Sequence, residues 1–349
     1  MAPGRLDFVS GLQKKPNPGR VHVTHPVWVH YGHTDLVTQH DFLLDFGFQE
    51  THRTSNPERI FYKGYNDQPV SYVSEETDRP LRVFVGGSLE AASQEDLERS
   101  AKLPSASPVR DLDFPGGGKV VTIVDPESIP INVVFGYSTV QRVQLPKGSD
   151  AYNMASDTLV VDDEKPRRGR FQRLGKGPSP VHKLGHFGHI TADIKKISEW
   201  EQTHFNLRAL DVQANALNKD LDMAVFYDID LGKHYRDHHA FFHFTLFSGQ
   251  KYAGPHHASY LGHHHLRAKG YTQMWGIGMH ILGSQIFDCW YEPSGFTVEH
   301  YTDGDAVNED NQPERAVKDS MAEFQAWSGP LVTKGAYEGD ARPEVVIRA

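Results

Sequence analysis

The chain has 349 residues, with 45 Asp and Glu against 36 Lys and Arg and a formal charge of −9, so it carries no basic surplus to neutralise nucleic-acid phosphates. At 38% hydrophobic and 23% charged it has the material for two ordinary cores, and no apolar run reaches the roughly 18 residues of a membrane helix. One cysteine, Cys289, excludes an intrachain disulfide, and the opening MAPGRLDFVSG has no apolar leader; the expectation is a soluble cytoplasmic protein.

In chain order, residues 1–20 are rich in Gly, Pro and Lys and read as an N-terminal arm. Residues 21–145 form a first body. It opens with the strand VWVHYGH and an Asp, runs into the helical LVTQHDFLLDFGF, and closes with the strand pair VVTIVDPESIPINVVFGY around an Asp-Pro turn. Residues 146–180, containing KPRRGRFQRLGKGPSP, read as a linker. Residues 181–305 repeat the plan: LGHFGHIT and an Asp, IKKISEWEQTHFNL, then IFDCWYEPSGFTVEHY around a Glu-Pro turn. Residues 306–349 read as a polar tail. Each body follows a strand–helix–strands pattern twice, which predicts an α+β fold with curled sheets around a cleft.

The chain has 21 histidines, and they crowd into the second body. In LGHFGHIT, strand alternation predicts His186, Gly188 and Ile190 on one face and His189 on the other. In DHHAFFHFTLF it predicts His239, Phe241 and His243 together, opposite His238, Ala240 and Phe242. Glu299 falls mid-strand after the turn at Pro293–Gly295. Taken singly, each has a plain explanation: a core histidine bonded to a carbonyl, or a carboxylate in an ion pair. Together, two histidines and a carboxylate on three strands match the facial triad that holds iron(II) and keeps coordination positions open.

These residues resemble the type I extradiol ring-cleavage dioxygenases of the vicinal oxygen chelate superfamily. Leu184-Gly185-His186, seven residues before Asp193, resembles the family's first ligand motif. His239, the last of a His-His pair leading a strand, resembles the second. Pro293, Gly295 and Glu299 resemble the third, and Gly278-Met279-His280 resembles the segment whose histidine lies near bound substrate. The likeness spans about 125 residues. Matching the repeats puts Trp28 where His186 stands, Asn132 where Glu299 stands, and Gln68 or Pro69 near the second position, so the first body is similar to the family's non-catalytic duplicate. Two features depart from the pattern. Asp288 and Cys289 stand where the family has an apolar residue and a Tyr, and the segment around PHHASYLGHHHLRAKGY is about eight residues short.

The resemblance implies paired βαβββ modules, two per body. It implies a metal held by His186, His239 and Glu299, iron(II) with manganese(II) as the other candidate. The implied substrates are a small catechol-type diol and O2, with the ring opened beside the diol. His280 and His234 are the implied catalytic residues; for the acid–base group Asp228 and Asp230 are candidates beside His234, whose pKa lies nearest neutrality. His257, Cys289, Phe241, Trp275 and Tyr301 are the candidates for contact with substrate; Phe242 and Trp290 are further candidates for aromatic packing. His263–His265 read as a surface-helix feature. Paired modules also offer surfaces for a homo-oligomer. Two other readings compete: a metal-dependent glyoxalase- or epimerase-type enzyme of the same fold, and a non-catalytic binder of small aromatics.

Overall fold

A computed structural model describes residues 19–143, 177–215, 218–245, 260–302, 304–318, 325–328 and 345–348. The Asp that follows the first strand of each body is a helix cap. Asp35 accepts hydrogen bonds from the backbone of Val37 and Thr38 and starts α1 (Leu36–Phe46), which ends at Gly47 with φ 116°. Asp193 accepts from Lys196 and starts α3 (Ile194–His204). A carboxylate at this position satisfies amides that the first turn leaves open, and glycine takes the left-handed exit without a Cβ clash.

The first half is an eight-stranded sheet in the order β2-β3-β4-β1-β5-β8-β7-β6. Its first module is β1 (Val23–His33), α1, β2 (Gln49–Ser55), β3 (Glu58–Lys63) and β4 (Tyr72–Glu76). The second is β5 (Val83–Ala91), α2 (Gln94–Ser100), β6 (Arg110–Asp111), β7 (Lys119–Val124) and β8 (Pro130–Phe135). β1 and β5 pair antiparallel at the centre, while each runs parallel to its module's last strand. The sheet therefore joins two copies of one βαβββ unit back to back.

The second half repeats the plan with one substitution. β9 (Phe187–Thr191), α3, β10 (Leu207–Asn215), β11 (Asp222–Ile229), the short β12 (Arg236–Asp237) and β13 (Phe241–Thr245) form its first module. α4 (Tyr260–Lys269), β14 (Gln273–His280), β15 (Ile286–Tyr291) and β16 (Thr297–Thr302) form the rest of its second. By the repeat, a strand equivalent to β5 belongs between β9 and β16, and residues 246–259, which precede α4, lie outside the described residues. Instead β20 (Val345–Arg348) occupies that slot, antiparallel to β9 and parallel to β16. The reading of 306–349 as a loose tail is thereby corrected. β17 (Ala306–Val307) pairs with β12, β18 (Glu314–Lys318) with β10, and β19 (Gln325–Ser328) with β14. β18 and β19 add to the two open edges of the sheet, where backbone partners are available, while β20, of sequence VVIR, fills the interior slot.

One apolar core runs through both halves, containing Tyr31, Phe42 and Phe46 from the first and Phe187, Phe205 and Phe296 from the second. Tyr31 and Phe296 meet with ring centroids 4.3 Å apart, and Phe46 stacks on His300 at 3.8 Å. The halves also exchange carboxylates. Asp125, in the β7–β8 turn, brings Oδ2 to 3.6 Å from His189 Nε2. Glu292, in the β15–β16 turn, brings Oε2 to 3.8 Å from His33 Nδ1. The Asp/Glu-Pro turns that mark the sequence repeat are thus reciprocal contacts. Among the described residues no helix is long and apolar enough to cross a membrane.

Candidate metal centre

His186 immediately precedes β9, and its ring stacks on His239 with centroids 3.8 Å apart and planes 26° apart. Phe242 closes on His186 edge-on at 5.4 Å, and Tyr301 stacks on it at 5.5 Å. Tyr301 lies two residues beyond Glu299 on β16, so the two share the face on which His186 stands. Glu299 is directly opposite Cys289 on β15, which shares that face, and Cys289 pairs in turn with Trp275 on β14 at a register shift in the ladder. His186, His239 and Glu299 are all buried, at 1%, 2% and 2% exposure.

His239 reaches this face by a route that strand alternation does not foresee. Residues 238–240 are a bend, and β13 begins only at Phe241. His239 therefore packs beside Phe226 and Phe242, on the side of His186. Phe241 and His243 point the other way, against Phe187 and His189. The expectation that His239 and Phe241 share a face is corrected, and with it the substrate role of Phe241, which is core.

The hydrogen bonds set which ring nitrogen each histidine offers. His186 Nδ1 lies 3.3 Å from the carbonyl of His239. A carbonyl only accepts, so His186 carries its proton on Nδ1 and its lone pair on Nε2. His239 Nδ1 is engaged by His238 Nδ1 at 3.0 Å and by the Gln285 amide at 3.2 Å. Two imidazoles whose Nδ1 atoms are held, beside a carboxylate, form a donor set that suits a divalent metal at Nε2. Even so, among the described residues no three His, Cys, Asp or Glu side chains form a group that could hold a metal ion.

The other expected residues divide. His280 ends β14, stacked on Phe287 at 3.6 Å, and its backbone N–H donates to Gln285 at 2.9 Å. Gln285 touches His239, so His280 stands one residue removed from the centre. Trp275 is buried, and Cys289 packs against Met274. His234 is exposed on the turn between β11 and β12, its N–H bonded to Leu231; the structure does not bring it to this group, which corrects the acid–base expectation. His257 lies outside the described residues. Trp290 faces away, toward His263, and Asp288 joins the two: its carboxylate accepts from Trp290 Nε1 at 2.7 Å and lies 2.9 Å from His263 Nδ1. His263 is therefore buried on the sheet-facing side of α4, a correction to the surface-helix reading. A cavity of about 410 Å³ opens beside Tyr301, lined also by Gly185, Lys183, His182, Asp237 and, from the first half, Tyr65. Sequence reasoning missed this wall because it joins segments far apart in the chain.

In the first half the matching positions hold no donor set. Trp28 packs on Phe114 at 5.0 Å, and Asn132 bonds Gly87 and Thr122.

Neither a protein-family model nor a curated protein sequence matches the chain. Solved structures do match. The Mn(II)-bound glyoxalase from Novosphingobium aromaticivorans superposes with a TM-score of 0.68 at 17% identity, over 91% of this chain and 97% of that one. Homoprotocatechuate 2,3-dioxygenase from Brevibacterium fuscum, in complex with 3,4-dihydroxyphenylacetate, gives 0.68 at 14% identity, over 92% and 93%. The 2,3-dioxygenase LapB from Pseudomonas sp. KL28 gives 0.64 at 14%, over 86% and 99%. With its paired βαβββ modules and curled sheets, the chain has the vicinal oxygen chelate fold.

Proposed function

We propose that the second half is a divalent-metal centre with His186, His239 and Glu299 as donors, and that the chain is an extradiol dioxygenase of small vicinal dihydroxy aromatics. The observation that carries this reading is two buried histidines, both with Nδ1 engaged, on the same sheet face as a buried glutamate. The dioxygenases among the solved structures support the substrate class, and iron(II) is the proposed metal, with manganese(II) second. When bound, such a metal supplies Lewis acidity that lowers the pKa of a coordinated diol and an open position for O2. The chain's own residues do the rest. Tyr301 stacks on His186 and offers its ring to an aromatic substrate, Cys289 and its cross-strand partner Trp275 border the glutamate, and His280 donates a hydrogen bond to substrate oxygen. Cys289 stands in for a stronger donor, since a thiol is a weak one.

A variant of the donor set keeps His239 at the centre in another role. The Nε2 lone pair of His239 suits a general base as well as a ligand, and in that arrangement another histidine completes the donor set. Replacing each histidine by Ala separates the two: the ligand's loss removes metal, while the base's loss removes turnover and leaves the metal in place.

The Mn(II)-bound glyoxalase match also supports a metal-dependent isomerase or lyase reading. Anaerobic loading with iron(II), followed by a catechol and air, discriminates. Oxygen uptake with a yellow ring-opened product is the expected result. Metal-dependent isomerisation of other substrates without oxygen uptake favours the glyoxalase-type reading, and tight aromatic binding without turnover a binding protein.

A further inference from the structure

Asp211 lies on β10, three strands from β9 in the sheet, and is used by no part of the donor set. Its Oδ2 is 2.9 Å from His238 Nε2, and both residues are buried. The other nitrogen of His238, Nδ1, is the one that lies 3.0 Å from His239 Nδ1. The chain Asp211–His238–His239 thus runs from the sheet interior to the candidate centre.

The chemistry of its members fixes the direction. A carboxylate only accepts, so His238 turns an N–H on Nε2 toward Asp211. In a neutral imidazole the second nitrogen is then an acceptor, so His238 Nδ1 takes the hydrogen of His239 Nδ1. The Gln285 amide places its nitrogen 3.2 Å from the same atom; a 180° turn of that amide presents its oxygen there instead, as a second acceptor for that hydrogen. His239 is left with the lone pair on Nε2. The relay is held from outside as well. Gly283, at φ 72°, brings the β14–β15 turn onto His238, where a Cβ would meet the ring at 2.7 Å.

We propose that Asp211 is a positioning residue that acts through His238 to hold His239 in the tautomer with hydrogen on Nδ1 and the lone pair on Nε2. This rests on the metal-centre reading of His239, and it serves His239 equally as ligand or as base, because either role uses the Nε2 lone pair. An Asn at 211 keeps the shape and can donate to His238, which lets the pair of rings invert.

The test is long-range 1H–15N correlation of the histidine rings in the metal-free full chain, together with Mn(II) binding by equilibrium dialysis. Wild type is expected to show His239 protonated on Nδ1. Asp211→Asn is expected to shift it toward the Nε2–H form and, where His239 is the ligand, to weaken Mn(II) binding about 10- to 100-fold; where His239 is the base, the loss falls on kcat and its pH profile. Asp211→Glu restores part of either. His239 protonated on Nε2 in wild type, or an unchanged tautomer in Asp211→Asn, would overturn the proposal. The wild-type spectrum needs no variant to fold. If wild type binds no metal yet shows the expected tautomer and its Asp211 dependence, the metal reading fails and the relay stands.

Discussion

At the scale of single residues, burial changes what titrates. Glu201 on α3 is fully buried, and desolvation raises its carboxyl to about 8, while burial lowers His243 to about 3. Their nearest approach, Nε2 to Oε1, is 3.6 Å, too long for a hydrogen bond. An acid whose folded pKa lies above its unfolded value of about 4.5 loses stability as pH rises from that value to about 8. His243, depressed from 6.5, loses stability as pH falls from 6.5 toward 3. His243 and Glu292 are present in both proteins, so between pH 6.5 and 8 the difference between wild type and Glu201→Gln isolates the glutamate. Glu201→Gln should gain about 2 kcal/mol relative to wild type across that window, read from urea melts at the two pH values; parallel pH dependence of the two proteins contradicts the assignment. Such a group was not legible in the sequence, where Glu201 is one of two glutamates in an ordinary helical run. His186 and Glu299 were legible, because their strands alternate regularly. The face of His239 was not, because a bend at 238–240 resets the alternation.

At the scale of elements, the repeat was readable from its capping aspartates and its Asp/Glu-Pro turns, which depend on local chemistry. The C-terminal strands were not, because their residues pair only across long sequence separations. β20 lies between the strand that follows His186 and the strand that carries Glu299. Removing residues 344–349 should therefore speed amide hydrogen exchange in Phe187–Thr191 and Thr297–Thr302 by at least about tenfold while β1 and β5 keep their protection; unchanged exchange in β9 and β16 contradicts the pairing. The β14–β15 turn gives a second check. Gly283→Ala meets both a positive φ and the His238 ring, and should cost about 1–3 kcal/mol in a thermal or urea melt. A neutral result would mean that the turn does not bear on His238.

At the scale of the whole molecule, the two halves are tied by more than the chain. Their core is continuous, Asn206 bonds the backbone of Val23 on both sides, and His265 and Tyr271 both reach Asp45. Each half places a carboxylate in the other, and desolvation raises both, Asp125 to about 6 and Glu292 to about 7. Calorimetry should show one unfolding transition, moved as a unit by metal. Two transitions, with only one responding to metal, would mean that the halves unfold separately. The first half lacks donors where the second has them, so its contribution is the Tyr65 wall and this shared core.

The central claim is a metal centre in the second half, and metal stoichiometry after anaerobic loading with iron(II) tests it most directly. Wild type is expected to retain about one equivalent per chain, with His186→Ala and Glu299→Ala retaining little and Trp28→Ala and Asn132→Ala unchanged. No retained metal in wild type, or equal retention in His186→Ala and Glu299→Ala, would contradict it.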